Sequence, residues 1–273
     1  MDNRMPDTRT ALYCVLGDPI AHSLSPAMHQ RAFAHLNVNA TYLAFRVIDL
    51  PSAIAGIRAL GIKGASITLP HKTRVIELLD AIDPLAADIG AVNTIINERG
   101  RLIGKNSDSA GAIDALAAQT ALEDKSVLVV GAGGTARAVG FGIHERGGRI
   151  TVTNRTAAAG ERLAADLEGM FLPDSKLVKE QFDILINTTP VGMHPHTEAS
   201  PVQTDILQPG MVVMDIVYNP VQTQLLQEAA RTGCKTVDGL AMFVNQGARQ
   251  FEWWTGKTAP REVMRRAVLE SLP

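Results

Sequence analysis

From Ala11 onward, short apolar runs alternate with stretches whose apolar residues recur at helical spacing. ALYCVLG, TYLAFRVI and GASITL read as strands, and residues 26–37, 51–60 and 71–80 read as helices. A β-α-β-α-β-α order predicts parallel strands joined by right-handed crossovers, with helices on both faces of the sheet. AVNTII, the turn-like Asn97-Glu98-Arg99-Gly100 and RLIG then read as a β-hairpin. The hairpin adds an antiparallel pair, so the first sheet is expected to be mixed.

The second half opens with a helix over residues 109–119, capped by Asp108 or Ser109, and passes through a polar EDK turn into SVLVVGAGGTARAVG. The strands RITVTN, FDILINTT, MVVMDIV and KTVD follow, separated by helical or loop segments. That succession predicts a doubly wound nucleotide-binding sheet. Residues 240–273 read as helical and carry Trp253 and Trp254; they either end this domain or cross back onto the first.

Composition narrows the function classes. The chain has 273 residues, enough for one large α/β domain or two medium ones. Hydrophobic residues make up 46%, charged residues 20%, and mean hydropathy is +0.06, which is globular composition. Aromatics at 4% argue against a stacking surface for single-stranded nucleic acid. A net charge of -2 lacks the basic footprint that a phosphate backbone requires. Cys14 and Cys234 lie far apart in apolar runs, which suggests neither a disulfide framework nor a zinc cluster. Residues 1–10 contain no apolar leader segment, and no run approaches about 18 apolar residues. The expectation is a cytoplasmic enzyme, with no role for a membrane.

The sharpest chemical signal is the turn after the apolar run at residues 127–130. Gly131-Ala132-Gly133-Gly134-Thr135-Ala136 matches G-x-G-x-x-G/A between a strand and an Ala-rich helix. Gly131 allows the tight turn, Gly133 lets the backbone approach a pyrophosphate, and Ala136 permits close helix-strand packing. About 20 residues on, where an NAD site normally places Asp or Glu, stands Asn154-Arg155-Thr156. A guanidinium can bind a 2′-phosphate that a carboxylate would repel, so NADP is favoured, with NAD as the alternative. Against this stands the reading of Arg155 as a solvated loop cation.

A nicotinamide enzyme that reduces a carbonyl needs a proton donor near the developing alkoxide and a group to hold that donor. Lys72 follows the strand at residues 64–69 at its C-terminal end, the edge where α/β sheets bind ligands. Asp108 follows the hairpin at the junction of the two halves. Their structural alternatives are a surface lysine and a helix N-cap. Ser23 and Ser25 lie two residues apart near a helix start, where hydroxyls and free amides suit a carboxylate; ordinary capping with Pro26 in the first turn is the alternative. His194-Pro195-His196 reads as an exposed turn, and no metal is expected.

In this order the segments resemble the shikimate dehydrogenase family over about residues 13–252. Gly17-Asp18-Pro19-Ile20 with His22-Ser23-Leu24-Ser25-Pro26 is similar to its opening motif, which implies that Ser23 and Ser25 hold the substrate carboxylate. Ser66-Ile67-Thr68-Leu69-Pro70-His71-Lys72 resembles the block ending in the catalytic lysine, with Ser66 and Thr68 at the substrate. Ala91-Val92-Asn93-Thr94 implies Asn93 as a substrate ligand, and Asn106-Ser107-Asp108 with Gly111 implies Asp108 as the catalytic aspartate.

In the cofactor half, Gly131, Ala132, Gly133, Gly134 and Thr135 are joined by Asn154, Arg155 and Thr156. Asn187-Thr188-Thr189 with Gly192-Met193 resembles the block lining the nicotinamide, where Thr188 is the implied contact. Asp215-Ile216-Val217-Tyr218-Asn219-Pro220 implies Ile216 at the cofactor and Tyr218 at the substrate. Gly239-Leu240-Ala241-Met242 and Gln246 resemble the final motif, with Gly239 near the nicotinamide and Gln246 on substrate. Two departures stand out: many members carry asparagine at the position of Ser66 and a second basic residue at that of Ala159.

The resemblance implies an N-terminal mixed-sheet α/β substrate domain, residues 1–108 with 240–273, and a C-terminal Rossmann-like NAD(P)-binding domain, residues 109–239, with a cleft between them. The implied activity is reversible NADPH-dependent reduction of 3-dehydroshikimate to shikimate. The alternatives are a quinate or amino-shikimate dehydrogenase, a shikimate dehydrogenase-like paralogue or, in another class, a non-catalytic nucleotide sensor. The expected partners are small molecules, and the expected assembly is a monomer or homodimer.

Overall fold

The structure, a computed structural model, describes residues 5–272. The first four residues of the segment 1–10, and Pro273, lie outside the described residues. The chain divides into two compact units, Met1–Ser107 with Gln246–Pro273 and Asp108–Asn245.

The first unit contains β1 (Ala11–Gly17), α1 (Ser25–His35), β2 (Ala40–Arg46), α2 (Leu50–Ala59), β3 (Gly64–Ile67), β4 (Ala81–Ile82), α3 (Pro84–Ile89), β5 (Thr94–Glu98) and β6 (Arg101–Lys105). Its strands run in the order β2-β1-β3-β5-β6-β4. β1 is parallel to both β2 and β3, whereas β5 is antiparallel to β3 and β6, so the sheet is mixed. Arg99 and Gly100, at φ 55° and 95°, close the β5–β6 hairpin as a two-residue turn whose positive φ angles match the strand twist. Leu16, Ile54, Ile57, Ile67, Ile95 and Leu102 form the centre of its core.

One expected helix is absent. Residues 71–80 form a turn and a short 3₁₀ segment, Arg74–Leu78, before Leu79 turns extended and leads into β4. The segment is tied at both ends, by the His71 amide to the Thr68 carbonyl and by the Asp80 amide to the Leu102 carbonyl, which leaves little length for helical turns.

The second unit contains α4 (Asp108–Ala117), β7 (Ser126–Val130), α5 (Gly134–His144), β8 (Arg149–Thr153), α6 (Ala157–Asp166), β9 (Met170–Phe171), β10 (Ile184–Asn187), β11 (Val212–Asp215), α7 (Gln224–Thr232) and β12 (Lys235–Val237). Its sheet is parallel throughout, in the order β12-β11-β10-β7-β8-β9. Counting from β7 along the chain, that is the 3-2-1-4-5-6 order of a dinucleotide-binding fold, with the switch point between β7 and β10. Such strands are covered on both faces, which accounts for the unbroken apolar runs read in β7 and β10.

The chain ends in α8 (Gly239–Thr255) and α9 (Arg261–Ser271), and from Gln246 onward it belongs to the first unit. There Trp254 donates its indole N–H to the Ile95 carbonyl at 3.0 Å and lies against the rings of Tyr13, His29 and Tyr42. Among the described residues no helix is long and apolar enough to cross a membrane.

His29 is fully buried in this aromatic cluster, stacked on Tyr42 at 4.5 Å between ring centroids, and burial pushes its pKa down from 6.5 to about 3. The unfolded chain takes up this proton as pH falls through 6.5, whereas the folded one does not until about 3. His29 therefore leaves stability intact above pH 6.5 and removes about 1.4 kcal/mol per pH unit on the way down to 3. The melting-temperature difference between His29→Phe and the parent chain should shift in favour of the variant as pH is lowered from 7 to 4. A difference that stays flat would contradict a neutral His29.

Candidate active site

The loops after β1 and β3 lie side by side at the C-terminal edge of their parallel strands. The Thr68 amide donates to the Leu16 carbonyl and the Asp18 amide to the Leu69 carbonyl, both at 3.0 Å. A Cβ at Gly17 would collide with the Thr68 methyl, so only glycine allows this approach. The loop carrying Ser23 and Ser25 is thus brought to the loop carrying Thr68 and Lys72.

Leu69-Pro70 is cis, and the His71 amide closes the turn on the Thr68 carbonyl at 2.9 Å. His71 is buried with Nε2 3.0 Å from the Val47 carbonyl, and the Lys72 carbonyl accepts from the Val92 amide at 2.8 Å. The backbone of Lys72 is fixed on both sides while its side chain stays half-buried. Lys72 precedes the 3₁₀ segment and does not open a helix, which corrects the local reading of its placement.

Neither serine caps α1: the N-cap is Leu24, with no side-chain capping bond. The Ser23 hydroxyl instead accepts from the Ser25 amide at 3.4 Å, and Ser25 is buried in the first turn.

Asn93 is buried just before β5. Its Oδ1 accepts from the Ser107 amide at 2.9 Å and the Thr94 hydroxyl at 2.7 Å, and its Nδ2 donates to the Ser107 hydroxyl at 2.9 Å. Ser107 Oγ also reaches Gln246 Oε1 at 3.4 Å. Ser66 Oγ, on β3, lies 2.6 Å from the Tyr42 hydroxyl and 2.8 Å from Gln250 Oε1. Gln250 Nε2 in turn donates to the Asn93 carbonyl at 3.1 Å and the Thr94 hydroxyl at 2.9 Å. One hydrogen-bonded chain therefore joins Ser66, Asn93 and Gln246 in the first unit. Asp108, the next residue after Ser107, is buried in the first turn of α4.

In the second unit, Gly131 has φ +113° and its amide donates to the Thr153 carbonyl. A Cβ there would meet Thr188 Oγ1 at 2.6 Å. At Gly133, the N-cap of α5, a Cβ would meet no protein atom within 4 Å, and no side chain caps the helix. A helix start without a side-chain cap, behind an open backbone, suits the pyrophosphate of a dinucleotide. Ala136 is fully buried against the sheet core. Arg155 and Thr156 are exposed after β8, next to Asn154, whose Nδ2 donates to the Thr156 carbonyl. Among the described residues no carboxylate pairs with Arg155 in a salt bridge, so its charge is available to an anion.

Thr188 donates its hydroxyl to the Val130 carbonyl at 2.6 Å, which binds β10 to the glycine turn. The carbonyls of Ile216 and Val217 crowd Gly239 so closely that no side chain fits there. Tyr218 stacks on Phe243 with ring centroids 4.2 Å apart. Sequence reasoning missed the group that holds this region. Asp215, fully buried, accepts from Asn187 Nδ2 at 2.9 Å, the Val217 amide at 3.0 Å and the Thr223 hydroxyl at 2.7 Å. Burial pushes its carboxyl up to about 6 against those three donors. A charged residue inside an apolar strand run was the signal that could have found it. His194 and His196 are exposed, and among the described residues no group of three metal-ligating side chains occurs.

Three family models cover most of the chain: a shikimate dehydrogenase substrate binding domain at residues 15–95, a shikimate/quinate 5-dehydrogenase at 115–241 and a shikimate 5′-dehydrogenase C-terminal domain at 239–269. A shikimate dehydrogenase (NADP(+)) of Bacillus cereus strain B4264 is 46% identical over 272 residues, covering 96% of this chain and 98% of its own. A solved shikimate dehydrogenase in complex with NADP+ superposes with TM-score 0.94 at 39% identity, covering 98% of each chain. The shikimate 5-dehydrogenase of Thermus thermophilus, solved with NADP(H) and shikimate, gives TM-score 0.89 at 36% identity, over 96% of this chain and 100% of that one.

Proposed function

The chain belongs to the shikimate dehydrogenase family, and from that membership we propose that it reversibly reduces 3-dehydroshikimate to shikimate with NADPH. The observation that carries this reading is near-full-length similarity to an NADP-dependent relative, on a chain that carries Lys72, Asp108 and the Gly131 turn. The first unit is assigned the substrate and the second the dinucleotide. The glycine turn from Gly131 to Thr135, the Asn154-Arg155-Thr156 loop, Thr188, Ile216 and Gly239 would hold the cofactor, which supplies the hydride.

Ser23 and Ser25 anchor the substrate carboxylate through their hydroxyls near the start of α1. Thr68, Asn93, Tyr218 and Gln246 fix the ring. Lys72 gives a proton to the carbonyl oxygen as that oxygen gains negative charge, and takes it back in the reverse direction. Asp108 orients the lysine and a ring hydroxyl. The partners are small molecules, and neither nucleic acid nor a membrane is involved. The protein works in the cytoplasm as a monomer or homodimer.

Mixing the purified protein with NADP and shikimate should raise the NADPH absorbance band, with quinate and amino-shikimate giving lower kcat/KM. No reduction with any of the three would leave the nucleotide-sensor reading. Arg155→Ala should raise KM for NADP about tenfold through loss of a charge-assisted contact to the 2′-phosphate, and leave KM for NAD nearly unchanged. Equal KM values for NADP in variant and parent would remove Arg155 from the cofactor site.

A further inference from the structure

We propose that Gln250 is a positioning residue that fixes Ser66 as a hydrogen-bond acceptor toward substrate, so that the site selects a ring substituent able to donate. This rests on the reading of Ser66 as a substrate contact. Each proton in the chain around Ser66 can be assigned from chemistry. The Asn93 carbonyl can only accept, so the Gln250 group 3.1 Å from it is the amide nitrogen. The other end of the same amide, facing Ser66 at 2.8 Å, is then the oxygen, and Ser66 donates to it. A hydroxyl carries one hydrogen, so the 2.6 Å contact to Tyr42 runs from tyrosine to serine.

Thr94 cannot reverse this order, because its own hydrogen goes to Asn93 Oδ1 while it accepts from Gln250. Ser66 is left with one unused lone pair and no hydrogen. An asparagine at this position would offer a donor as well as an acceptor. The Ser66–Gln250 pair offers only the acceptor, held by a side chain 184 positions away that is 2% exposed. A hydroxyl or ammonium on the substrate ring meets this requirement, whereas fluorine or a methyl ether at the same carbon does not.

The test uses shikimate and its analogues with each non-reacting hydroxyl replaced in turn by fluorine, on the parent chain and on Gln250→Met, Ser66→Ala and the double variant. The parent should reject one fluoro analogue by about tenfold or more in kcat/KM. Gln250→Met frees the serine hydrogen, so that discrimination should fall several-fold, with KM for shikimate raised and kcat nearly kept. Adding Gln250→Met to Ser66→Ala should change KM little, because the glutamine acts through the serine. Circular dichroism and melting temperature identify any variant that fails to fold, in which case Tyr42→Phe, which leaves the Ser66–Gln250 bond in place, must retain the discrimination. Unchanged fluoro discrimination in folded Gln250→Met, or additive KM effects, would overturn the inference. Absence of shikimate oxidation by the parent chain would instead overturn the functional reading beneath it.

Discussion

Lys72→Met is expected to lower kcat by about 10²–10⁴ while KM for shikimate changes only a few-fold. The expectation comes from where the structure holds this lysine. Its backbone is clamped between the closed turn at Thr68–His71 and the Val92 amide, and its neighbour His71 is locked against Val47. A side chain so placed at the C-terminal end of β3 is presented by a rigid frame, beside the serine loop that the Asp18 amide pins to Leu69. Lys72→Arg separates two contributions, since a guanidinium keeps the charge yet does not release a proton. Proton transfer predicts that the arginine variant stays as slow as the methionine one; recovery of turnover in Lys72→Arg would make the role electrostatic. Asp108→Asn should fall into the same range of loss. Near-parental turnover in Lys72→Met, measured on folded protein, would remove it from the chemistry.

The second unit was legible because its signals are local. Val127 to Val130, the glycine turn and the small residues of α5 form one contiguous stretch, and each residue type answers a steric demand now visible at Gly131 and Ala136. The β5–β6 hairpin was equally local, with Gly100 supplying a positive φ. The two-residue strands β4 and β9 carry no periodicity to read, being too short to alternate. Residues 71–80 have helix-like spacing, but hydrogen bonds to Thr68 and Leu102 at their ends set the backbone instead.

The candidate site divides along the same line. Ser23, Ser25, Lys72 and the glycine turn stood out because each lies in a short block with its own chemistry. Gln250 and Asp215 did not, since each acts through partners remote in sequence: Ser66 lies 184 positions from Gln250, and Asn187 lies 28 from Asp215. Periodicity places such residues in a core and says nothing of which donor they meet there. The polarity of a buried hydrogen-bond chain is a tertiary property, fixed only when all its members are in place.

Asp215 shows what such a hidden residue controls. Asp215→Ala should destabilise the second unit by roughly 3 kcal/mol or more, because three buried donors lose their acceptor at about 1–3 kcal/mol each. That is a large share of the ~5–15 kcal/mol that holds a typical domain. The donors belong to Asn187, Val217 and Thr223, so the loss also releases the segments that bear Thr188, Ile216 and Tyr218, and dinucleotide binding should weaken with stability. Asp215→Asn keeps the shape, and its amide can donate to a Thr223 hydroxyl that turns round to accept. The two substitutions separate through pH. Burial raises the folded carboxyl to about 6 against 3.8, so the folded state holds its proton more tightly than the unfolded one. The stabilisation this proton brings is complete below 3.8 and is lost as pH rises through 6, roughly two pH units at about 1.4 kcal/mol each. The asparagine has no such loss. Its melting temperature relative to the parent chain should therefore climb between pH 4 and 7, while Asp215→Ala stays lowest throughout. A parent-to-asparagine difference independent of pH would show that Asp215 is not a carboxyl held partly protonated by burial.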